Sequence, residues 1–348
     1  MSAQARMKRW ATIAFISTYL VVLAGSVVRM SGAGMGCPDW PWCFGLTIPP
    51  TDEAQVRWST AQNYGEGRML IVSDSLWVAQ ANHTSGTAFD SDRLAGLWSH
   101  YTRHNYAQFN AVHTWTEFVN RLFGAWAGVP VTLLWLFSLF RIRRNRGLRI
   151  ATWTTAAWIL LGVVAWLGKL VVEGHLIPGS ITIHMLGALG ILLALLFARQ
   201  DIVGRLEDAR LPQGVKTWLA ISTLLALAQL VLGTQVRESV DILVKAGVAR
   251  GDWLAHLPSN WKIHRSLSWL LLATQLVWIF RVWRGKRGGS FWHRNASRMA
   301  GLLAAQMLTG LLFAWADMPA WSQPLHLMLG MGTVLLSASL WRAGRMAS

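Results

Sequence analysis

The chain has 348 residues, of which 53% are hydrophobic and only 14% are charged, and it contains 22 Trp. This composition excludes an ordinary soluble domain and indicates that the lipid bilayer is the solvent. The net charge of +16 would suit nucleic-acid binding, but the Lys and Arg residues are concentrated beside alternate apolar segments. The sequence therefore predicts a membrane protein with no nucleic-acid partner.

Eight apolar segments are long enough to cross a bilayer, which requires about 20 mostly apolar residues per helix. They cover residues 10–30, 112–140, 151–172, 180–198, 216–236, 262–282, 298–316 and 324–341. Most Lys and Arg residues precede the first segment, follow the eighth or join the segments in alternate connections, so the positive-inside rule predicts that both termini are cytoplasmic. The predicted fold is an all-α integral membrane protein.

The first four segments resemble the last four. The matching stretches are Val21–Arg29 with Gln229–Arg237, Asn120-Arg121 with His264-Arg265, and Ile183–Gly190 with Leu325–Gly332. An even number of segments per copy gives both copies the same orientation in the membrane. We therefore predict two four-helix bundles, residues 1–198 and 199–348, related by a pseudo-twofold axis along the membrane normal.

The copies differ in their outer connections, because about 80 residues join the first two segments and only about 25 join the fifth and sixth. The only two cysteines, Cys37 and Cys43, lie in the longer connection. A disulfide can persist outside the cytoplasm, so this pair is expected to oxidise, either as a structural staple or as a redox-active pair.

Three histidines, His184, His264 and His326, lie inside apolar segments, where a polar side chain needs a partner within the bundle. His264 and His326 are each within about a turn of the outer end of a helix that runs inwards. Two imidazoles at similar depth on neighbouring helices could ligate heme iron from both sides. The alternative is a hydrogen-bonded packing contact.

In the first copy the equivalent positions are His184 and Asn120. An amide is a poor iron ligand beside imidazole, so a heme there would be held from one side or would need another ligand. His113 lies two helical turns before Asn120, and it could be a displaced ligand, a proton carrier or an interface residue.

Glu117 lies on the same stripe of the second segment, one turn from His113. A carboxyl at the edge of an apolar bundle is a candidate for proton transfer. The alternative is an ion pair with Arg121, Lys169 or another cation at the outer end of the bundle.

Four arginines lie near the outer membrane face in pairs that the repeat relates. They are Arg29, Arg237, Arg121 and Arg265. Guanidinium pairs with carboxylate in a bidentate manner, so these residues could hold heme propionates. Side chains that reach from helix ends to the interface would explain them as well.

Several blocks of the sequence resemble the heme A synthase family. They are RMSGAGMGCPDWPWCFG at residues 29–45, EFVNRLFG at 117–124, TIHM at 182–185, GTQVR at 233–237 and the surroundings of His264 and His326. The blocks are short, but their order and their position among the helices agree with the family over nearly the whole chain.

The resemblance implies an oxidoreductase that converts the C8 methyl of heme O into the formyl group of heme A, which serves heme-copper oxidases. It assigns a heme b to His264 and His326 and the substrate to Glu117 and His184. It equates Cys37 and Cys43 with the outer-loop cysteine pair of some bacterial members. It further implies the bacterial inner membrane, with a heme O synthase and a membrane electron carrier as partners, and it leaves a homo-oligomer open.

The chain departs from the family at Asn120, where the family usually has His. Our hypothesis is that His184 alone binds the heme O iron, with Asn120 or His113 near the other face. The main alternative function is a diheme electron carrier of the cytochrome b type, which would require two bis-histidine sites. A transporter would require polar groups near the bilayer midplane.

Overall fold

The computed structural model describes residues 2–86, 88–90, 94–102, 108–144, 146–173, 179–204, 214–285 and 290–347. Nine α-helices and five short strands lie within these residues. The helices are α1 (Ala3–Ser31), α2 (Ala111–Leu139), α3 (Gly147–Glu173), α4 (Ser180–Val203), α5 (Val215–Lys245), α6 (Trp253–His256), α7 (Asn260–Arg284), α8 (Ser290–Trp315) and α9 (Ser322–Ala347).

Eight of these helices, all except the short α6, are long and apolar enough to cross a membrane, which confirms the eight predicted segments. Several continue beyond the apolar stretch that predicted them. Helix α5, for example, was expected over 216–236 and extends to Lys245. Its additional turns carry Arg237, Glu238 and Asp241. These charged residues lower the mean hydropathy, so the apolar stretch ended before them, but they form contacts at the C-terminal end of the helix.

Each helix pair that packs together among α1 to α4 has a counterpart among the later helices. Helix α1 packs against α2 and α4, as α5 packs against α7 and α9, and α3 packs against α4 as α8 packs against α9. Helices α4, α5 and α9 also share an apolar core, to which Leu192, Leu230 and Met331 contribute. The two sets of helices are therefore joined through a common buried surface.

The long connection between α1 and α2 contains five antiparallel strands that the sequence did not predict. They are β1 (Asn63–Tyr64), β2 (Met69–Val72), β3 (Ser75–Ala79), β4 (His83–Thr84) and β5 (Trp98–His100). Strand β3 pairs with β2 and β5, and β1 pairs with β4. Trp98, Tyr64 and Leu70 are buried between the strands, so the connection has its own small core.

Candidate functional site

His264 and His326 face each other near the N-terminal ends of α7 and α9. Each lies four residues after its helix begins, at Asn260 and Ser322 respectively. Their ring centroids are 6.3 Å apart and the ring planes are inclined by 69°. The structure thus brings together the two imidazoles that the sequence predicted as a ligand pair.

Thr309 on α8 is the hydrogen-bond partner of the His326 ring and bears on which of its two nitrogens carries the hydrogen. Thr309 Oγ1 lies 2.7 Å from His326 Nδ1, and its one hydroxyl hydrogen can be donated to the carbonyl of Gln306 or Ala305 in its own helix. When its hydrogen is donated in this way, the hydroxyl oxygen can accept a hydrogen bond from Nδ1–H. This tautomer leaves the lone pair of Nε2 available, as in histidines that ligate a metal.

The separation of the two rings fits an iron atom between them. A metal lies roughly 2 Å from each ligating nitrogen, and each nitrogen lies about 1.1 Å from its ring centre, which gives a centroid separation of about 6 Å. The 6.3 Å between His264 and His326 agrees with this value. His264 Nδ1 is also buried without a hydrogen-bond partner among the described residues. The donor set therefore suits a bis-histidine heme.

The corresponding positions of the first four helices have a different character. His184 lies four residues after α4 begins at Ser180, and Asn120 lies on α2; both helices pack against α1. His184 Nδ1 and Asn120 Oδ1 are buried, and neither has a hydrogen-bond partner among the described residues. Position 167, which corresponds to Thr309, is Leu, so no equivalent hydroxyl can orient the His184 ring.

A glycine on a neighbouring helix lies against each of these four side chains. The pairs are Gly25 with Asn120, Gly168 with His184, Gly233 with His264 and Gly310 with His326. A Cβ atom would lie 3.1 Å from His264 Cε1 at Gly233, and 3.7 Å from the facing side chain at the other three glycines. These glycine contacts were not predicted from the sequence. The repeat alignment does contain a signal for them, because it pairs Gly25 with Gly233 and Gly168 with Gly310.

Glu117 is buried and connects α2 to the disulfide loop. Its Oε2 accepts a hydrogen bond from the backbone amide of Cys37 at 3.0 Å, and its Oε1 accepts one from Arg121 Nη2 at 2.6 Å. The ion pair with Arg121 that the sequence left as an alternative is therefore present. The two partners of the carboxylate, Arg121 and the Cys37 amide, are both hydrogen-bond donors. The ion pair therefore does not exclude a role for Glu117 in proton transfer.

The predicted Cys37–Cys43 disulfide is present, and its loop is clamped onto α2. Arg121 Nη1 donates hydrogen bonds to the carbonyls of Asp39 and Trp42, both at 2.7 Å. On the other side of the loop, the backbone of Gly36 lies so close to the His113 carbonyl that a Cβ there would be 2.4 Å from it. His113 thus contacts the loop through its backbone.

Asp39 organises the inside of the same loop, a role that no motif in the sequence indicated. Its two carboxylate oxygens accept hydrogen bonds from the amides of Phe44 at 2.7 Å and Gly45 at 2.8 Å. Burial raises the pKa of the Asp39 carboxyl above its ordinary value, and these hydrogen bonds and the charge of Arg121 oppose that rise in part.

Arg29 and Arg237, which the repeat relates, share one carboxylate. Asp241 forms ion pairs with both, and Arg237 Nη2 lies 2.7 Å from Asp241 Oδ1. Arg237 also donates to the Arg29 carbonyl at 2.8 Å. The position equivalent to Asp241 in the first copy is Ala33, so symmetry could not predict this contact.

The fourth of these arginines, Arg265, has a different environment. Its guanidinium lies over the Trp261 ring, 4.8 Å from the ring centroid. Of the four residues predicted to hold propionates, Arg29, Arg237 and Arg121 are thus engaged by protein groups, while Arg265 stacks on an aromatic side chain of its own helix.

Comparison with known proteins is consistent with this arrangement. The family model described as cytochrome oxidase assembly protein, COX15-CtaA, matches residues 8–71 and 91–340. The chain is 23% identical to a heme A synthase of Methylobacterium sp. (strain 4-46) over 370 aligned residues, which cover 98% of the chain and 92% of that relative. A heme A synthase of Sphingopyxis alaskensis is 24% identical, with 97% of the chain and 92% of the relative covered.

A shorter match of higher identity is a heme A synthase of Shewanella oneidensis, which is 46% identical over 44 residues, 13% of each chain. The family model leaves out residues 72–90, which contain β3 and β4 of the outer connection. It covers all or most of each of the eight long helices and every candidate site residue named above. The chain therefore belongs to the cytochrome oxidase assembly protein family COX15-CtaA, the family of the heme A synthases.

Proposed function

We propose that this chain is a heme A synthase that oxidises the C8 methyl of heme O to the formyl group of heme A. Two successive hydroxylations of the methyl would give a gem-diol, which loses water to form the aldehyde. Each hydroxylation would insert one oxygen atom of O2 into a C–H bond and reduce the other oxygen atom to water with two electrons and two protons. The product would supply heme-copper oxidases. Family membership supports the reaction class, and the named relatives support the substrate.

One observation carries the assignment of roles. His264 and His326 face each other at a separation that suits two nitrogen ligands of one iron, whereas the equivalent pair, Asn120 and His184, offers one imidazole and one amide. A bis-histidine heme has no open coordination position, so it suits electron transfer rather than substrate chemistry. We therefore assign heme b to residues 199–348 and the substrate to residues 1–198.

The chain's own residues have distinct tasks in this proposal. His264 and His326 would hold the heme b, and Thr309 would orient the His326 ring. When bound there, heme b supplies one-electron transfer. His184 binds the iron of heme O, and Asn120 lies near its other face, with His113 further out.

Glu117 moves protons in the substrate half. Arg121 holds the Glu117 carboxylate, and the Cys37 amide joins it to the disulfide loop, so the loop and the acid are positioned together. Binding of heme propionates by the four repeat-related arginines would add to the contacts that these side chains already make within the protein. The four are Arg29, Arg237, Arg121 and Arg265.

The proposed setting is the bacterial inner membrane with both termini in the cytoplasm, which the positive-inside rule favours. Both candidate heme sites then lie near the outer face. A heme O synthase is the proposed source of substrate, and a membrane electron carrier is the proposed redox partner. The disulfide loop and the strands of the outer connection lie on the same side as the site.

The test is to express the chain with a heme O synthase in a host that makes no heme A, and to identify the extracted hemes by mass spectrometry. Heme A in the extract supports the proposal. Heme O and heme b without heme A would contradict it and favour a diheme electron carrier. A matched culture that expresses Glu53→Gln, an exposed carboxyl in the outer connection, controls for expression.

A further inference from the structure

A basic cavity of about 830 Å³ lies at the end of the helix bundle that carries both chain termini. It is formed by the connection between α2 and α3, by the first turns of α3, and by the last turns of α4 and α9. Five arginines line it: Arg144, Arg146, Arg149, Arg342 and Arg345. The cavity is at the opposite end of the helices from the candidate heme site and has no part in it.

Only one of the five arginines is neutralised by a carboxylate within the described part of the chain. Arg342 is buried, its Nη2 lies 2.7 Å from Asp201 Oδ2, and its Nη1 donates to the Phe197 carbonyl at 2.8 Å. The other four form no ion pair among the described residues. Arg144, Arg149 and Arg345 are exposed, and Arg146 is half-buried. The cavity therefore carries excess positive charge.

The remaining lining is apolar. Trp153, Phe197 and Trp341 form walls, and Arg345 stacks over the Trp341 ring at 4.6 Å. Leu148, which is 65% exposed, lies at the mouth in the first turn of α3, where that membrane-spanning helix begins. A site that combines several guanidinium groups with exposed apolar and indole side chains suits a ligand with an anionic head and an apolar tail.

We infer that this cavity binds the phosphate group of an anionic membrane phospholipid, of the phosphatidylglycerol class. The phosphate would lie among Arg144, Arg146 and Arg149, and the acyl chains would follow Leu148 along α3. Basic pockets between membrane helices are known to bind such head groups. Because the cavity joins α3 and α4 to α9, the bound lipid would stabilise the contact between the two sets of helices.

The experiment uses the full chain, purified in a neutral detergent, and follows thermal unfolding by tryptophan fluorescence. Phosphatidylglycerol, phosphatidylcholine and inorganic phosphate are added separately. The test variant is Arg144→Gln with Arg149→Gln, and the matched control is Lys216→Gln with Arg284→Gln, which removes two exposed cations from other helices at the same end. A second test variant, Leu148→Glu, keeps all five arginines and places a carboxylate at the mouth.

Phosphatidylglycerol is expected to raise Tm by several degrees in the wild type and in the control, and phosphatidylcholine and phosphate to leave it unchanged. Both test variants should lose most of this rise, because a ligand that binds only the folded state raises Tm by an amount that increases with its affinity. An equal rise in all variants would overturn the inference, as would the absence of a rise in the wild type. A rise with phosphate alone would assign the cavity to a free anion and overturn the lipid.

Discussion

His264 and Gly233 form the tightest of the four contacts between a glycine and a side chain of the two candidate heme sites, since a Cβ on Gly233 would lie 3.1 Å from His264 Cε1. The imidazole of α7 therefore lies directly against the backbone of α5. Its repeat counterpart, Gly25, leaves 3.7 Å to Asn120 Oδ1. The two positions are equivalent in sequence but differ in the space that they leave.

Replacing Gly233 with Ala should displace the His264 ring by a few tenths of an ångström and change the ligand field of the C-terminal heme. We expect altered g values in the electron paramagnetic resonance spectrum of the purified protein. Gly25→Ala, the matched control, should leave that signal unchanged. If Gly233→Ala left the spectrum unchanged, His264 would not be held by this contact in the heme-bound protein.

Glu117→Gln should strongly reduce heme A formation. A glutamine has one acceptor oxygen and cannot satisfy both Arg121 and the Cys37 amide, and it cannot exchange a proton as a carboxyl does. General acid–base groups contribute about 10² to 10⁴ in rate, so we expect a fall of at least about 10²-fold. The ratio of heme A to heme O after a fixed time measures this effect.

The spectrum of the C-terminal heme provides the internal control for Glu117→Gln, because Glu117 is on α2 and the ligands are on α7 and α9. It should not change. Heme A formation at the wild-type level would remove Glu117 from the proposed chemistry and leave it only as the partner of Arg121.

Asn120→His should add a second imidazole to the substrate heme. The position faces Gly25, which carries no side chain, and the buried Asn120 Oδ1 has no described hydrogen-bond partner to lose. We expect the heme O complex to become six-coordinate and low-spin, as measured by its optical spectrum. Asn120→Gln, which keeps an amide, is the control. A wild-type heme O complex that is already bis-imidazole would show that another residue, with His113 the first candidate, provides the ligand.

The disulfide loop should become less stable as the pH rises. Because the folded-state pKa of Asp39 lies above its unfolded-state value, its contribution to stability is present in full at low pH and is lost as the pH rises through the folded-state pKa. Limited proteolysis of the outer connection between about pH 4 and pH 7 measures this trend, with a protease whose own activity is calibrated at each pH.

In Asp39→Asn the pH dependence should be largely absent, while Asp74→Asn, at an exposed turn of the same connection, should keep the wild-type trend. Cleavage of the wild-type loop that slows with rising pH would contradict the assignment to Asp39.

The sequence predicted the eight spanning helices and the disulfide because hydropathy and compartment determine them directly. It also predicted that His264 and His326 would meet, because equal depth on inward-running helices constrains their positions. Contacts between distant residues had no such signal. The i,i+4 spacing favours Arg237 with Asp241, but nothing in the chain indicates that Arg29, 212 residues away, shares that carboxylate.

The outer connection was the least predictable part of the fold. Strands β1 and β4 have two residues each, which is too short for an alternating pattern to be recognised. Thr309 was missed for a different reason. A threonine in an apolar helix usually bonds its own backbone, and only its distance to His326 reveals the second interaction.

The assignment of heme b to residues 199–348 and of the substrate heme O to residues 1–198 is tested most directly by measuring which hemes two single variants retain. His184→Ala and His326→Ala proteins would be purified from cells that also express a heme O synthase, and their hemes extracted and quantified, with His256→Ala as a surface control. We predict that His326→Ala loses heme b and keeps heme O, whereas His184→Ala keeps heme b and loses heme O and heme A. Loss of the same heme from both variants would contradict the account.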